Sequence, residues 1–256
     1  MERLKNKVAI VTGSADGIGL AISEAFAKEG AAVVMGDINE EKCKQEADRL
    51  LKQNLKVLPL FCDVGNTDSV NQMVKTCIQK LGEIDVLVNN AAAAIPGKIT
   101  EMSDEEWDRL MNVNLKGAFR CIRACLPFMI SAENGSIINM SSTQAHRSWD
   151  NWTAYAAAKG GLLSMTKQLA GQFGPENIRV NCISPGTILT PMAARRVKDE
   201  GEEFLKASQG QASMLRYGDP VEVAMTAVFL ASDESSFITG DDLKVDGGLS
   251  ILPRYM

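Results

Sequence analysis

Residues 141–161 read SSTQAHRSWDNWTAYAAAKGG, a run that holds Ser142, His146, Tyr155 and Lys159. His146 is the sole histidine of the chain. A serine near a histidine suggests an activated nucleophile, but there is no Gly-x-Ser-x-Gly elbow and no spacing that supplies an acid to orient His146. Tyr155 and Lys159 point to other chemistry. They stand one helical turn apart, so both side chains leave the same face. A phenol ionises near pH ~10 and is a poor base at neutrality, but a neighbouring ammonium stabilises the phenolate. Such a pair can move a proton at a hydroxyl.

A second constellation lies near the start. TGSADGIG, residues 12–19, follows the apolar run VAIV and precedes the amphipathic LAISEAFAKEG. Gly13, Gly17 and Gly19 let the backbone turn tightly and approach a pyrophosphate. The following helix directs its N–H groups and positive dipole end at that anion. Such a loop means little alone; between a strand and a helix it reads as a dinucleotide site. Asp37 ends the next apolar run, about 20 residues beyond the loop, where a carboxylate accepts both adenosine-ribose hydroxyls and repels a 2′-phosphate. Neither Ser14 nor Ile38 supplies a cation that would neutralise such a phosphate. NAD is therefore expected in preference to NADP.

These residues must be positioned by the apolar, β-branched runs at 7–13, 31–37, 56–64, 85–90, 136–142, 178–184 and 242–248. Most are apolar on both faces, as parallel strands covered by helices on each side are. Helix-length amphipathic stretches fill the gaps. Ser103 with Glu106 forms a potential capping box, and Asp219 before Pro220 supplies an N-cap and a preset first turn. This repetition predicts a doubly wound α/β fold, and no linker or composition shift divides the chain. Residues 1–256 are expected to form a single domain, with a cofactor half over about 1–140. A charged, strandless stretch over about 191–217 reads as a substrate loop or lid. Its Arg195 and Arg196 could approach a carboxylate or phosphate, or could simply be solvated.

Hydrophobic residues at 45% and charged residues at 23% suit a soluble globular protein. A net charge of −5 leaves no electrostatic footprint for nucleic acid or an anionic membrane. No apolar run reaches the ~18 residues of a membrane span, and MERLKNKVAIVTG lacks the apolar core and cleavage site of a signal peptide. A cytoplasmic protein acting on a small molecule is expected. Cys43, Cys62, Cys77, Cys121, Cys125 and Cys182 include no CxxC pair, so buried thiols in a reducing compartment are expected, and no metal site.

In this order and spacing the motifs resemble the short-chain dehydrogenase/reductase family over essentially the whole chain. The likeness rests on TGSADGIG, NNAA at 89–92, Asn114 in NVNLKG and Ser142 in NMSS. It continues with Tyr155 and Lys159 in YAAAK, SPGTILTP at 184–191 and ITGDDLKVDGG at 238–248. The resemblance implies a Rossmann-type doubly wound parallel sheet of seven strands, a nicotinamide cofactor and a homotetramer. It also implies a catalytic tetrad of Asn114, Ser142, Tyr155 and Lys159. Ser142 would hold the reacting oxygen, and Asn114 would help hold a water that connects Lys159 to solvent. Oxidised nicotinamide would join Lys159 in lowering the Tyr155 pKa and would take the hydride.

Carried over position by position, the implied cofactor contacts begin with Gly13, Ser14, Asp16, Gly17, Ile18, Gly19, Asp37 and Ile38. Asp63 and Val64 would line the adenine pocket, and Asn90 and Ala91 would pass beside the riboses. Tyr155, Lys159, Pro185, Gly186, Ile188 and Thr190 would border the nicotinamide. The chain departs from the family at Ala92, where the fourth-strand motif commonly ends in glycine; a methyl group there crowds the cofactor side.

The segment 143–154, TQAHRSWDNWTA, joins two of these residues and is expected to run past the reacting carbon. Gln144, His146, Trp149 and Trp152 are its candidate substrate contacts, and Arg147, Asp150 and Asn151 add polar groups. For His146 a loop-stabilising hydrogen bond is the competing role. The set suits a sugar, polyol or sugar acid better than a steroid or long acyl chain. The expected function is NAD-dependent interconversion of a secondary alcohol and a ketone on a small polar substrate. The alternatives are a 3-oxoacyl-thioester (acyl carrier protein) reductase, a hydroxysteroid dehydrogenase and, in another class, a non-catalytic NAD-binding protein.

Overall fold

Each apolar run becomes a strand in the structure, a computed structural model that describes residues 2–191, 193–194, 201 and 209–251. The strands are β1 (Val8–Thr12), β2 (Ala32–Asp37), β3 (Val57–Phe61), β4 (Val86–Asn89), β5 (Gly135–Met140), β6 (Ile178–Pro185) and β7 (Asp242–Val245). They form one seven-stranded sheet in the order β3-β2-β1-β4-β5-β6-β7, and every pairing is parallel. The order reverses between β1 and β4, which opens a crevice at the carboxyl ends of the strands.

The helices α1 (Gly17–Lys28), α2 (Glu40–Leu51), α3 (Thr67–Leu81), α4 (Asp104–Asn114), α5 (Lys116–Ala132), α6 (Thr153–Phe173) and α7 (Pro220–Ala231) cover the sheet. Alternating side chains send β1 into two cores. Ala9 and Val11 join Ile22 and Phe26 of α1 and Val223 and Ala227 of α7. Val8 and Ile10 join Val70 and Val74 of α3 and Cys121 and Cys125 of α5. Burying a side chain as large as Phe26 contributes on the order of 2 kcal/mol. Strands β1, β4 and β5 are buried along their whole length, which explains why they read as continuous apolar runs. The result is a single three-layer α/β/α domain.

Strand ends carry the departures from the sequence expectation. The run 56–64 leaves the sheet after Phe61, freeing Cys62, Asp63 and Val64 for the crevice. Pro59 is tolerated because β3 is an edge strand. The run 242–248 ends at Val245, because Gly247 and Gly248 take φ of 59° and 82° and fold the chain into a turn. Both capping boxes form, Ser103 with Glu106 and Asp219 with Glu222. Arg195, Arg196 and most of the expected substrate loop lie outside the described residues. Among those described, no helix is long and apolar enough to cross a membrane. All six cysteines are buried free thiols.

Candidate active site

A cleft of about 540 Å³ crosses the carboxyl ends of β1 to β6 at the reversal of strand order. One end is the glycine loop. Gly13, at φ 67°, donates its N–H to Gly36 O (2.8 Å), and Ala15 N–H donates to Asp37 Oδ2 (2.9 Å). Asp16 caps α1 by accepting Gly17 N–H (2.7 Å) and pairs with Lys42 of α2 (2.5 Å). Ile18 and Gly19 lie in the first helical turn, where N–H groups have no acceptor within the helix. A Cβ on Gly19 would stand 2.0 Å from Gly13 O, and one on Gly13 would stand 2.8 Å from Ala91 Cα. The cradle therefore admits only bare backbone at Gly13 and Gly19, and the N–H groups of Ile18 and Gly19 in the first helical turn are left for a pyrophosphate.

Asp37 lines this end, and its Oδ1 accepts Asn39 N–H (2.8 Å). Each carboxylate oxygen keeps a further lone-pair site for a ribose hydroxyl. Asp63 and Val64 form the adjoining wall. Their loop is fastened by buried Arg120, which donates to Val64 O (3.2 Å) and Asn112 Oδ1 (2.7 Å). Asn90 Nδ2 donates to Thr12 O and Gly13 O, each at 3.0 Å, pinning the glycine loop to the end of β4.

All but two of the expected cofactor contacts line the cleft. Ser14 is instead fully buried behind the loop, where its hydroxyl donates to Gly36 O (3.3 Å). Gly19 is packed against Gly13 O, so it permits close approach of helix and loop. Ala92 lines the cleft as its place on the cofactor side implied, and Cys62, Ala93, Arg109, Val113 and Met140 also line it and were not expected from the sequence. Arg109 and Val113 are one turn apart on α4 and share a face, but neither stands three or four positions from Asn114, so counting along its face would not have found them.

The other end holds the tetrad. Tyr155 and Lys159 project from one face of α6, while Ser142 follows β5 as the N-cap of a 3-10 turn, Thr143–Ala145. The Tyr155 and Ser142 side chains are hydrogen-bonded. Burial pushes the Tyr155 phenol up to about 12, with the Ser142 bond pulling the other way. Lys159 is buried; its Nζ donates to Met140 O (2.6 Å) and stands 5.5 Å from the centre of the Tyr155 ring. Burial brings its ammonium down to about 8, opposed by Cys182. At pH 7 the lysine is thus mostly charged, yet the phenol stays protonated. The expected lowering of Tyr155 is not a property of the bare chain and calls for further positive charge beside the ring.

Asn114 ends α4 with its amide engaged. Its Oδ1 accepts Ala93 N–H (2.7 Å) and its Nδ2 donates to Ala93 O (2.9 Å). This clamps the loop that starts at Ala92 and leaves one lone pair on Oδ1 and one N–H on Nδ2. The arrangement as a whole can hold an oxygen atom between two hydroxyls and move a proton at it.

The segment between Ser142 and Tyr155 is fastened away from the cleft. His146 Nε2 lies 2.7 Å from Asp242 Oδ2 on β7, Arg147 donates to the Leu249 carbonyl, and the Asn151 carbonyl accepts Gly97 N–H (2.8 Å). Gln144, His146, Trp149 and Trp152 are all absent from the cleft lining. Trp152 meets Tyr155 edge-on, with ring centres 5.4 Å apart. Gln144 donates its N–H to Ser142 Oγ (3.1 Å), and its side-chain oxygen is buried without a partner. The cleft lining holds instead Ala92, Ala93, Ile188, Thr190 and Pro191, of which Thr190 and Pro191 stand against Gly17.

Residues 13–250 match the family model described as enoyl-(acyl carrier protein) reductase. A 3-oxoacyl-[acyl-carrier-protein] reductase of Thermotoga maritima is 42% identical, over 97% of this chain and 100% of its own. The (2S)-[(R)-hydroxy(phenyl)methyl]succinyl-CoA dehydrogenase subunit BbsD of Thauera aromatica is 39% identical, over 97% of this chain and 98% of its own. Among solved structures, one from Agrobacterium tumefaciens provisionally described as a gluconate dehydrogenase has a TM-score of 0.94 at 27% identity, covering 98% of this chain and 99% of that one.

Proposed function

The chain belongs to the short-chain dehydrogenase/reductase family of oxidoreductases, and on that premise we propose that it interconverts a secondary alcohol and a ketone with NAD. The observation that carries the reading is one cleft with Ser142, Tyr155 and Lys159 at one end and the glycine loop and Asp37 at the other. NAD, when bound, takes the hydride from the alcohol carbon or returns it to the ketone. Ser142 and Tyr155 hold the reacting oxygen, and Tyr155 accepts its proton. Lys159, held under the ring by Met140 O, favours the phenolate. Asp37 takes the ribose hydroxyls and disfavours a 2′-phosphate, which supports NAD over NADP.

Two substrate readings each have an observation behind them. A small polar alcohol is favoured by the likeness to the structure provisionally described as a gluconate dehydrogenase. A 3-oxoacyl or 3-hydroxyacyl thioester is favoured by the apolar wall of Ala92, Ala93, Ile188 and Pro191 and by the printed activities of two relatives. The first reading has narrowed, because His146 and Arg147 are engaged elsewhere. Exposed Phe119, Phe128 and Ile130 on α5 support the homotetramer implied by the family, which size-exclusion chromatography checks.

The test is a panel of polyols, sugar acids and 3-hydroxyacyl-coenzyme A thioesters, each with NAD and with NADP. Reduction of NAD by one class, faster than reduction of NADP, is the expected result. A preference for NADP would overturn the reading of Asp37. NAD binding without turnover of any alcohol would favour the non-catalytic alternative.

A further inference from the structure

The turn that follows β7, residues 246–251, touches three parts of the site, and we infer that it is a positioning device for the reaction, with Asp246 setting its shape and Arg147 transmitting it to the catalytic serine. The sequence makes the turn tight. Gly247 and Gly248 both adopt positive φ, and the Asp246 carboxylate folds back to accept Gly248 N–H (2.9 Å) and Ser250 N–H (2.8 Å).

Its first contact is with the nicotinamide-side loop. Gly186 donates its N–H to Val245 O (2.9 Å), and a Cβ on Gly186 would stand 2.7 Å from Asp246 Cα. The second contact is with the end of the charged loop that precedes α7. Met214 N–H donates to Gly247 O (3.0 Å), and Ser213 Oγ donates to Gly248 O (3.2 Å). Beside these anchors Leu215 holds φ at 56°, a left-handed conformation that a leucine adopts only where its surroundings impose it. The third contact is with the catalytic turn. Arg147, whose N–H donates to Thr143 O (3.0 Å), gives a charge-assisted bond to the carbonyl of buried Leu249. One six-residue turn thus ties together the Ser142 turn, the Gly186 loop and Met214. A side cavity of about 420 Å³, bordered by this turn and Met214, shares Ile188 as a wall residue with the main cleft. The turn therefore sits where movement of the loop end would reach the site.

The inference rests in part on the proposed reaction, so it is tested in two arms. The first is hydrogen exchange on the full cofactor-free chain, comparing wild type with Arg147→Ala, Arg147→Lys and Asp246→Asn. Arg147→Ala is expected to speed exchange roughly tenfold in peptides covering 142–147 and also in those covering 213–218, with partial return in Arg147→Lys. Asp246→Asn is expected to loosen both segments together. Faster exchange confined to 142–147, or no change, would overturn the coupling. Should Arg147→Ala fail to fold, the other two variants carry the same comparison.

The second arm is steady-state kinetics with NAD and the best alcohol of the panel. Arg147→Ala is expected to lower kcat roughly tenfold at an unchanged KM for NAD. Wild-type kcat in that variant would overturn the inference. Absence of turnover in the wild type itself would sink the proposed function instead, and the exchange arm would still decide the coupling.

Discussion

The two ends of the cleft are held by different kinds of bond. At the adenosine end the working groups are backbone N–H groups and a carboxylate, braced by neighbours, by the adjacent strand, and by Asn90 and Arg120 from farther along the first half of the chain. Asp16 caps the next residue, Asp63 accepts Gly65 N–H (2.8 Å), and Asp37 on β2 holds Ala15 just beyond β1. At the catalytic end the serine's turn is tied by side chains to partners far along the chain, His146 to Asp242 and Arg147 to Leu249, across 96 and 102 residues. The first end is braced entirely within the first half of the chain and suits any ligand with the same phosphates and ribose. The second depends on how the last strand and its turn close over the sheet. Changes at the first end should therefore alter affinity and cofactor choice. Changes at the second should alter rate, or only the order of the loop.

The sharpest way to break this division is Lys159→Met. Turnover should fall roughly 10²–10⁴-fold while NAD affinity changes little. The same variant should be more stable. Burial lowers the Lys159 pKa to about 8 from its ordinary 10.5, so the folded state carries the cost of a buried charge at every pH below that value. The cost is lost as pH rises from about 8 towards 10.5. Removing the charge should therefore stabilise the chain at pH 7 by up to about 3 kcal/mol, and by less as the pH approaches 10. Thermal melts at pH 7 and at higher pH check the sign; an equal gain at both would contradict it.

Gly19→Ala attacks the other end. Its methyl group would meet Gly13 O and Asn90 Nδ2 at impossible distances. NAD binding should weaken about 10–100-fold, as overpacking by 1–3 kcal/mol implies, and fluorescence titration measures it. Asp37→Asn should shift the ratio of NAD to NADP affinity by about tenfold or more towards NADP, since it removes a like-charge repulsion. His146→Ala is the smallest effect. The pair with Asp242 keeps some solvent contact, its side chains 27% and 13% exposed, so its loss should cost about 1 kcal/mol and change kcat/KM less than about twofold. A large rise in KM for the alcohol alone would return His146 to the substrate pocket.

The same division explains what the sequence revealed. The strands, the glycine loop, Asp37 and the Tyr155–Lys159 pair depend on periodicity and short spacing, and each could be read directly. The inward turn of Ser14 could not, because it depends on where Gly36 of the next strand falls. Nor could the fate of His146, Arg147 and Asn151, whose polar side chains or carbonyl meet β7, its turn and the loop at Gly97. A residue's type states which bonds it can make. Which partner takes the bond is settled by packing across most of the chain, and that is why the polar side chains of 144–152 are absent from the cleft lining.

The most direct test of the account is Tyr155→Phe in the full chain, assayed for alcohol-dependent NAD reduction and, separately, for NAD binding. The account predicts turnover lower by roughly 10²–10⁴-fold, with NAD affinity held within about threefold because the adenosine end is built independently. Turnover within about threefold of the wild type would show that another group moves the proton and would contradict it.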